Sequence, residues 1–425
     1  MYHYKLSNMM KLITTKQIKP IIMHFLFFLI SLLIGSCNIK ADKKSPFQSS
    51  NENQPVQVFF KKTDTIIKSV AYDNIIYKSL SKITSGFGTK SVVFNSAMSK
   101  LYAMNLEGMS VYEIDQKTKK IIRSFNFKPT PGQGWDYDKN LPINSFEEKP
   151  VEAFITNSDS VIWVSLHNAE GIVPIFLNQG VGNSHIKLNN TDKLIYIKDS
   201  DNKIYDSIYV PLIKTGKTPK VIAGTSDNKT LLVSNWHSYD ISVLQMDIQK
   251  YPFAKVIATI PVSSIPRGMV INEKTKKTYV AIMGGASMAE IDNENWKYIK
   301  DIQVAANPRH LVQDDSGRIF ISYNKISQIA CIDPNTGKSL FSKNTSEQPR
   351  SIAISKNKKF LFVTCYKGNK IDVYKIKNEG FELVNELDCA GSPVGVDVFE
   401  DNNKLEVWVC SYEGVITTYL YEKSN

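Results

Sequence analysis

An all-β chain, a seven-bladed β-propeller of four-stranded antiparallel blades with its ring closed by an N-terminal strand, is the fold this sequence predicts. Three observations carry the reading: a long internal repeat, a proline that opens nearly every repeat, and a last repeat that is one strand short. The repeat shows in seven strand-like segments that begin at Leu101, Ile162, Leu231, Thr278, Ile319, Leu361 and Val407. Each has a large apolar residue at its second position: Tyr102, Trp163, Leu232, Tyr279, Phe320, Phe362 and Trp408. The last five of these are 47, 41, 42 and 46 residues apart, a period that marks propellers and solenoids. Their shared register makes them the packing between blades.

A second strand precedes each of these segments, introduced in six repeats by Pro150, Pro219, Pro266, Pro308, Pro349 and Pro393. A third follows and turns through polar residues such as Asp333-Pro334-Asn335-Thr336-Gly337-Lys338, and a fourth runs on toward the next proline. Four short strands with turn chemistry between them form one blade. The seventh repeat, from Gly395 to about Tyr421, has only three strands before the chain ends. The β-rich stretch Val56–Leu80 is expected to supply the fourth, which removes the open edges a free sheet would present. Insertions at Asn126–Lys149 and Asn178–Lys203 interrupt the pattern around the second repeat.

The segment Thr278-Tyr279-Val280-Ala281, the Ile-Asp turns after third strands and the Pro-Arg pairs that lead into repeats resemble the YVTN-repeat, YncE-like propeller family. The likeness runs from about residue 86 to 421. It implies the fold and, for many members, no defined reaction.

Two rings of residues are expected on the face where the innermost strands begin. The first follows the prolines: Lys220, Arg267, Arg309 and Arg350, with Glu152, His310 and Asp397 set deeper. It is either a cationic mouth for a carboxylate or phosphate, or a set of ties between neighbouring blades. The second follows the segments named above and contains His167, Trp236, His237, Tyr239, Tyr366 and Tyr412, which either stack on a ligand or pad the blade ends. Carboxylates are too few here for a calcium site, histidines too scattered for zinc, and no nucleophile motif such as GxSxG occurs. No catalytic residue, metal or cofactor is therefore expected. The first reading is a binding or scaffold module for a protein, peptide or glycan. The alternatives are an anion or single-stranded nucleic acid binder, and a lactonase-like or cofactor-assisted enzyme.

The N-terminus reads as an export signal. Lys5, Lys11, Lys16 and Lys19 precede the uncharged run Ile21–Ser36, which is short for a spanning helix and ends in small residues. Ile34-Gly35-Ser36-Cys37 resembles a bacterial lipobox, which implies cleavage before Cys37 and lipidation of its thiol. The expected organisation is a signal over residues 1–37, a polar tether over 38–56 and the propeller over 57–425. Removing the signal takes away four of the 52 basic residues and none of the 41 acidic ones, so the formal net charge falls from +11 to +7. That balance is a mild preference for anions. Lipoproteins of the Bacteroidetes type that reach the cell surface resemble one another in an acidic run after the cysteine. Residues 38–44 have no such run, so a monomer facing the periplasm from the outer membrane is expected. The remaining cysteines, Cys331, Cys365, Cys389 and Cys410, match no metal or haem spacing. They are either small buried hydrophobes or include one disulfide, Cys365 to Cys389. If Cys37 carries the anchor, Cys37→Ser releases the protein from membranes on fractionation, and a variant that stays with the membrane pellet overturns the lipoprotein reading.

Overall fold

The computed structural model describes residues 72–136, 139–178 and 183–425. Residues 1–71 lie outside it, so the signal, the tether and Cys37 do as well. Seven sheets of four or more strands follow one another along the described chain. Blade I is Thr89–Phe94, Lys100–Asn105, Ser110–Asp115 and Ile121–Phe127, and blade II begins with Pro150–Thr156, Val161–Leu166 and Gly171–Phe176. Blades III, IV, V and VI span 219–261, 266–303, 308–344 and 349–388, each with four antiparallel strands in chain order. Blade VII is Pro393–Glu400, Lys404–Ser411 and Val415–Ser424, and its outer strand is Asn74–Thr84.

The seven large residues of the repeat are all buried in their blades' second strands, 2% exposed or less where a value distinguishes them from zero. They belong to apolar clusters that run between neighbouring blades; Trp408 of blade VII, for example, packs with Phe94 and Leu101 of blade I. The four cysteines are free thiols. Cys365 packs in the apolar cluster of blades V and VI while Cys389 belongs to that of blades VI and VII, so the disulfide weighed from the sequence is not formed.

The simple repeat is broken twice. The chain leaves blade II after Phe176 and adds a hairpin, Lys193–Asp199 and Ile204–Val210, to the outer edge of blade I, where Ile195 pairs with Phe127. It then returns, and the short strand Ile213–Lys214 completes blade II. Blade I therefore has six strands and blade II an outer strand of only two residues, in place of four full strands in each. The other insertion forms a separate hairpin, Pro131–Asp136 with Leu141–Phe146.

Ring closure rests on the N-terminal strand, which pairs with Val415–Ser424 from Asn74 to Thr84 and buries Ile75 and Ile83. Just before it, Tyr72 is buried, stacks parallel on Phe360 of blade VI with ring centres 5.8 Å apart, and donates a hydrogen bond of 2.9 Å to Glu400 of blade VII. A variant lacking residues 1–84 loses three buried side chains worth about 1.5–3 kcal/mol each and leaves one strand edge bare. It should melt as one unit roughly 5–10 °C below the full chain in calorimetry, and an unchanged melting temperature would show that closure does not depend on this strand.

Candidate functional site

Each innermost strand starts with a register shift in its pairing with the second strand. The irregularity lies between Thr89 and Ser91, Pro150 and Ala153, Pro219 and Ile222, Pro266 and Met269, Pro308 and His310, Pro349 and Ile352, and Pro393 and Gly395. A bulge takes a residue out of the ladder and re-aims its side chain. The residue directly after the first position is inside the bulge in every blade: Lys90, Val151, Lys220, Arg267, Arg309, Arg350 and Val394. Five of the seven are cationic.

Those five cations line one cavity of about 620 Å³ at the end of the channel. Aromatic rings stand beside four of them. The Arg350 guanidinium lies over Tyr366, 3.4 Å from its ring centre, and its buried Nε has no hydrogen-bond partner among the described residues. Lys220 Nζ and the Arg267 guanidinium share the Trp236 ring at 4.6 and 5.7 Å. Lys90 Nζ stands 4.6 Å from the Tyr412 ring centre and donates to its hydroxyl at 3.3 Å. Arg309 donates to the soft Met283 sulfur at 3.2 Å. Contacts of this kind are worth about 0.5–2 kcal/mol each and leave the positive charge in place. Glu152 comes within 4.0 Å of Arg267, while Glu107 at the rim is paired with Lys149 at 2.6 Å.

Burial and mutual repulsion govern protonation here. Burial, then Arg350, Lys220 and the two other arginines, hold the Lys90 ammonium well below the lysine range. Burial, then Arg267 and Arg309, do the same to Lys220. Arg309 is pushed well down by burial and its two arginine neighbours, and Arg350 to about 10, chiefly by burial. Burial raises Glu152 against the pull of Arg267. His167 is held well below the imidazole range by burial and Lys220, whose Nζ lies 3.0 Å from His167 Nε2.

Eight of the residues picked from the sequence line this cavity: His167, Lys220, Trp236, Arg267, Arg309, Arg350, Tyr366 and Tyr412. His237 lines an adjoining cavity of about 400 Å³ with His167 and Trp135, its Nδ1 2.7 Å from the Thr218 hydroxyl. Thr218, which lines the smaller cavity, has φ 59°, a strained geometry for a β-branched residue. Two residues stand apart. Tyr239 is exposed on a turn and lines neither cavity. His310 is turned into the seam between blades V and VI, where its Nδ1 accepts a 3.4 Å hydrogen bond from the Ile352 amide. Asp397 likewise works in a seam, accepting bonds of 2.7 Å from the amides of Phe94 and Val398.

Sequence reading missed Lys90, although Thr89-Lys90-Ser91 occupies the register of the Pro-Arg pairs. It also missed the rim that the inserted hairpin supplies through Trp135, Ile143 and Ser145. Among the described residues no three or more His, Cys, Asp or Glu side chains group as metal ligands.

No protein-family model matches the chain. Over 217 residues it is 27% identical to Antigen Lp49 of Leptospira interrogans serogroup Icterohaemorrhagiae serovar copenhageni, a stretch amounting to 45% of this chain and 46% of the antigen. The chain thus spans about half the length of the curated relative it matches. Among solved structures it is similar to virginiamycin B lyase from Staphylococcus aureus, at 11% identity and TM-score 0.56 over 81% of this chain and 99% of that one. It is also similar to a streptogramin B lyase (14%, TM-score 0.55, 83% and 99%) and to the WD40 β-propeller domain of Doa1 (12%, TM-score 0.54, 82% and 97%). At these identities the likeness is one of fold.

The two seam residues oppose each other in their pH dependence. Burial lowers His310 from 6.5 to about 4, so on acidification the unfolded chain takes up that proton first and stability falls from about pH 6.5 to 4. Burial raises Asp397 from 3.8 to about 6, so the fold takes up that proton first and stability rises as pH falls from about 6 to 3.8. Melting temperatures between pH 4 and 7 should therefore diverge: relative to wild type, His310→Asn gains stability on acidification and Asp397→Asn loses it. Parallel profiles for all three proteins would contradict these assignments.

Proposed function

We propose that this protein is a binding propeller whose channel mouth captures an anionic ligand with an aromatic or apolar portion, such as a peptide or glycan carrying carboxylates. One observation carries the reading: five register-equivalent cations converge on one cavity where, among the described residues, Glu152 is the single nearby carboxylate not already paired at the rim. Like charges held together cost stability, and an anion offsets that cost while gaining hydrogen bonds from the guanidinium groups. Trp135, Trp236, Tyr366 and Tyr412 provide flat apolar surfaces around the same space. Among the described residues, the hydrogen bonds of the Lys220 and Arg309 side chains go to an imidazole and a sulfur, the Arg350 Nε has no partner, and none of the three reaches a carbonyl of a neighbouring blade. This favours a ligand role over blade mortar.

A second reading, a propeller enzyme, draws support from two features: two of the solved structures that share the fold are named lyases, and the cavity contains an amine in contact with an imidazole. Export, a lipid anchor at Cys37, a periplasmic setting on the outer membrane, a monomeric state and kinship with the YVTN-repeat group complete the proposal.

Replacing Arg309 and Arg350 by Gln tests the binding reading. The double variant should melt at the wild-type temperature or above it, and should lose the stabilisation that pyrophosphate, citrate or a short poly-glutamate confers on the wild type. Each stranded carbonyl would instead cost about 1–3 kcal/mol, so a clearly lower melting point without anion stabilisation of the wild type would return these residues to a structural role. A short oligothymidylate stabilising more than poly-glutamate would move the ligand class to single-stranded nucleic acid.

A further inference from the structure

We propose that Lys220 is a nucleophilic amine that forms a Schiff base with a 2-oxo acid, a carbonyl compound whose carboxylate is held by the neighbouring arginines. The proposal rests on the anion-capture reading of the same cavity. Its basis is the contrast between Lys220 and the other buried lysines. Lys193 and Lys149 are as buried, but Lys193 is paired with Glu147 and Glu148, and Lys149 with Glu107. Lys90 has a phenol hydroxyl as its partner. Lys220 has no carboxylate within ion-pair distance among the described residues, and its Nζ instead contacts His167 Nε2 at 3.0 Å, beside the Trp236 ring that Arg267 also approaches.

An ammonium is not a nucleophile; a lysine becomes one when burial and adjacent cations keep it neutral. Both are in place around Lys220, where burial acts most strongly, followed by the charges of Arg267 and Arg309. The same surroundings keep His167 neutral and able to accept a proton. The chemistry then balances without a further reagent. The amine lone pair attacks the carbonyl carbon, a C–N bond forms and the C=O π pair moves to oxygen. His167 carries the two amine protons to the oxygen in turn: the first gives the carbinolamine hydroxyl, and the second lets that hydroxyl depart as water as the nitrogen lone pair forms the C=N bond to Lys220. Arg267, beside the same indole, supplies the paired donors that fix a carboxylate one bond from the reacting carbon.

The test is reductive trapping on the full chain. Pyruvate or glyoxylate is added with cyanoborohydride, and the modified lysine is found by peptide mass spectrometry. The expected result is one saturable adduct at Lys220, suppressed by lactate, which has the carboxylate without the carbonyl, and at least tenfold weaker with acetone. Lys220→Met should abolish that adduct. His167→Asn should slow it tenfold or more without moving the melting temperature, which separates proton transfer from a packing role. Adducts spread over exposed lysines with Lys220 unmodified, or labelling of Lys90 at an equal rate, would overturn the proposal. If lactate still raises the melting temperature in that case, anion capture survives; if neither lactate nor pyruvate does, both readings fall.

Discussion

At four of the seven bulges, a serine hydroxyl from the preceding blade donates to the backbone carbonyl of the residue inside the bulge. Ser91 reaches Val151 at 2.8 Å, Ser165 reaches Lys220 at 2.7 Å, Ser322 reaches Arg350 at 2.8 Å and Ser351 reaches Val394 at 2.6 Å. A bond of this kind is worth about 1 kcal/mol net, but its geometric effect is larger than its energy. It pins the main chain of the bulge residue to the blade before it, so the attached side chain has one direction left. The walls are close enough to make this strict: a Cβ on Gly395 would come 2.9 Å from Ser91 Cα, and one on Gly268 would come 2.7 Å from His310 Cα. At these seams the mortar is hydroxyl and glycine, and the side chains of Lys220 and Arg350 are left free of that task.

Concentrating five cations behind such a scaffold has an electrostatic cost, and among the described residues it is met mainly with polarisable neighbours, with Glu152 near Arg267. Ring faces under Arg350, Lys220 and Lys90 stabilise charge without neutralising it. A carboxylate at each position would have made a quiet, self-satisfied network. Where acids are used, as between Lys193 and Glu148 or Lys423 and Glu400, the pairs are buried and hold the frame. The contrast between paired lysines in the walls and π-faced cations at the mouth separates frame from site.

The seven-fold repeat was legible because one large apolar residue per second strand must fill the same gap in every blade, so Tyr102 through Trp408 kept their spacing. The cation ring was legible where proline marked the bulge and was lost in blade I, where Thr89 begins the strand without that marker. His310 and Asp397 have the register of mouth residues, yet their side chains satisfy amides across a seam, a choice that depends on three-dimensional neighbours and leaves no trace in spacing. The inserted segments carry no repeat, so nothing in the sequence signalled that one would roof the mouth with Trp135 while the other joined the sheet of a different blade.

That last excursion has a consequence for how the ring is assembled. The chain visits blade I between two halves of blade II, pairing Lys193–Asp199 with Ile121–Phe127 before Ile213–Lys214 can close the sheet it left. Blade II therefore cannot be finished by local contacts alone, and its completion waits on a neighbour made earlier in synthesis. The lysine that pins the start of the visiting strand, Lys193, pairs with Glu147 and Glu148 immediately ahead of blade II. The result is a basting stitch: the same thread passes through two cloths, and neither can be peeled from the ring without drawing the other after it.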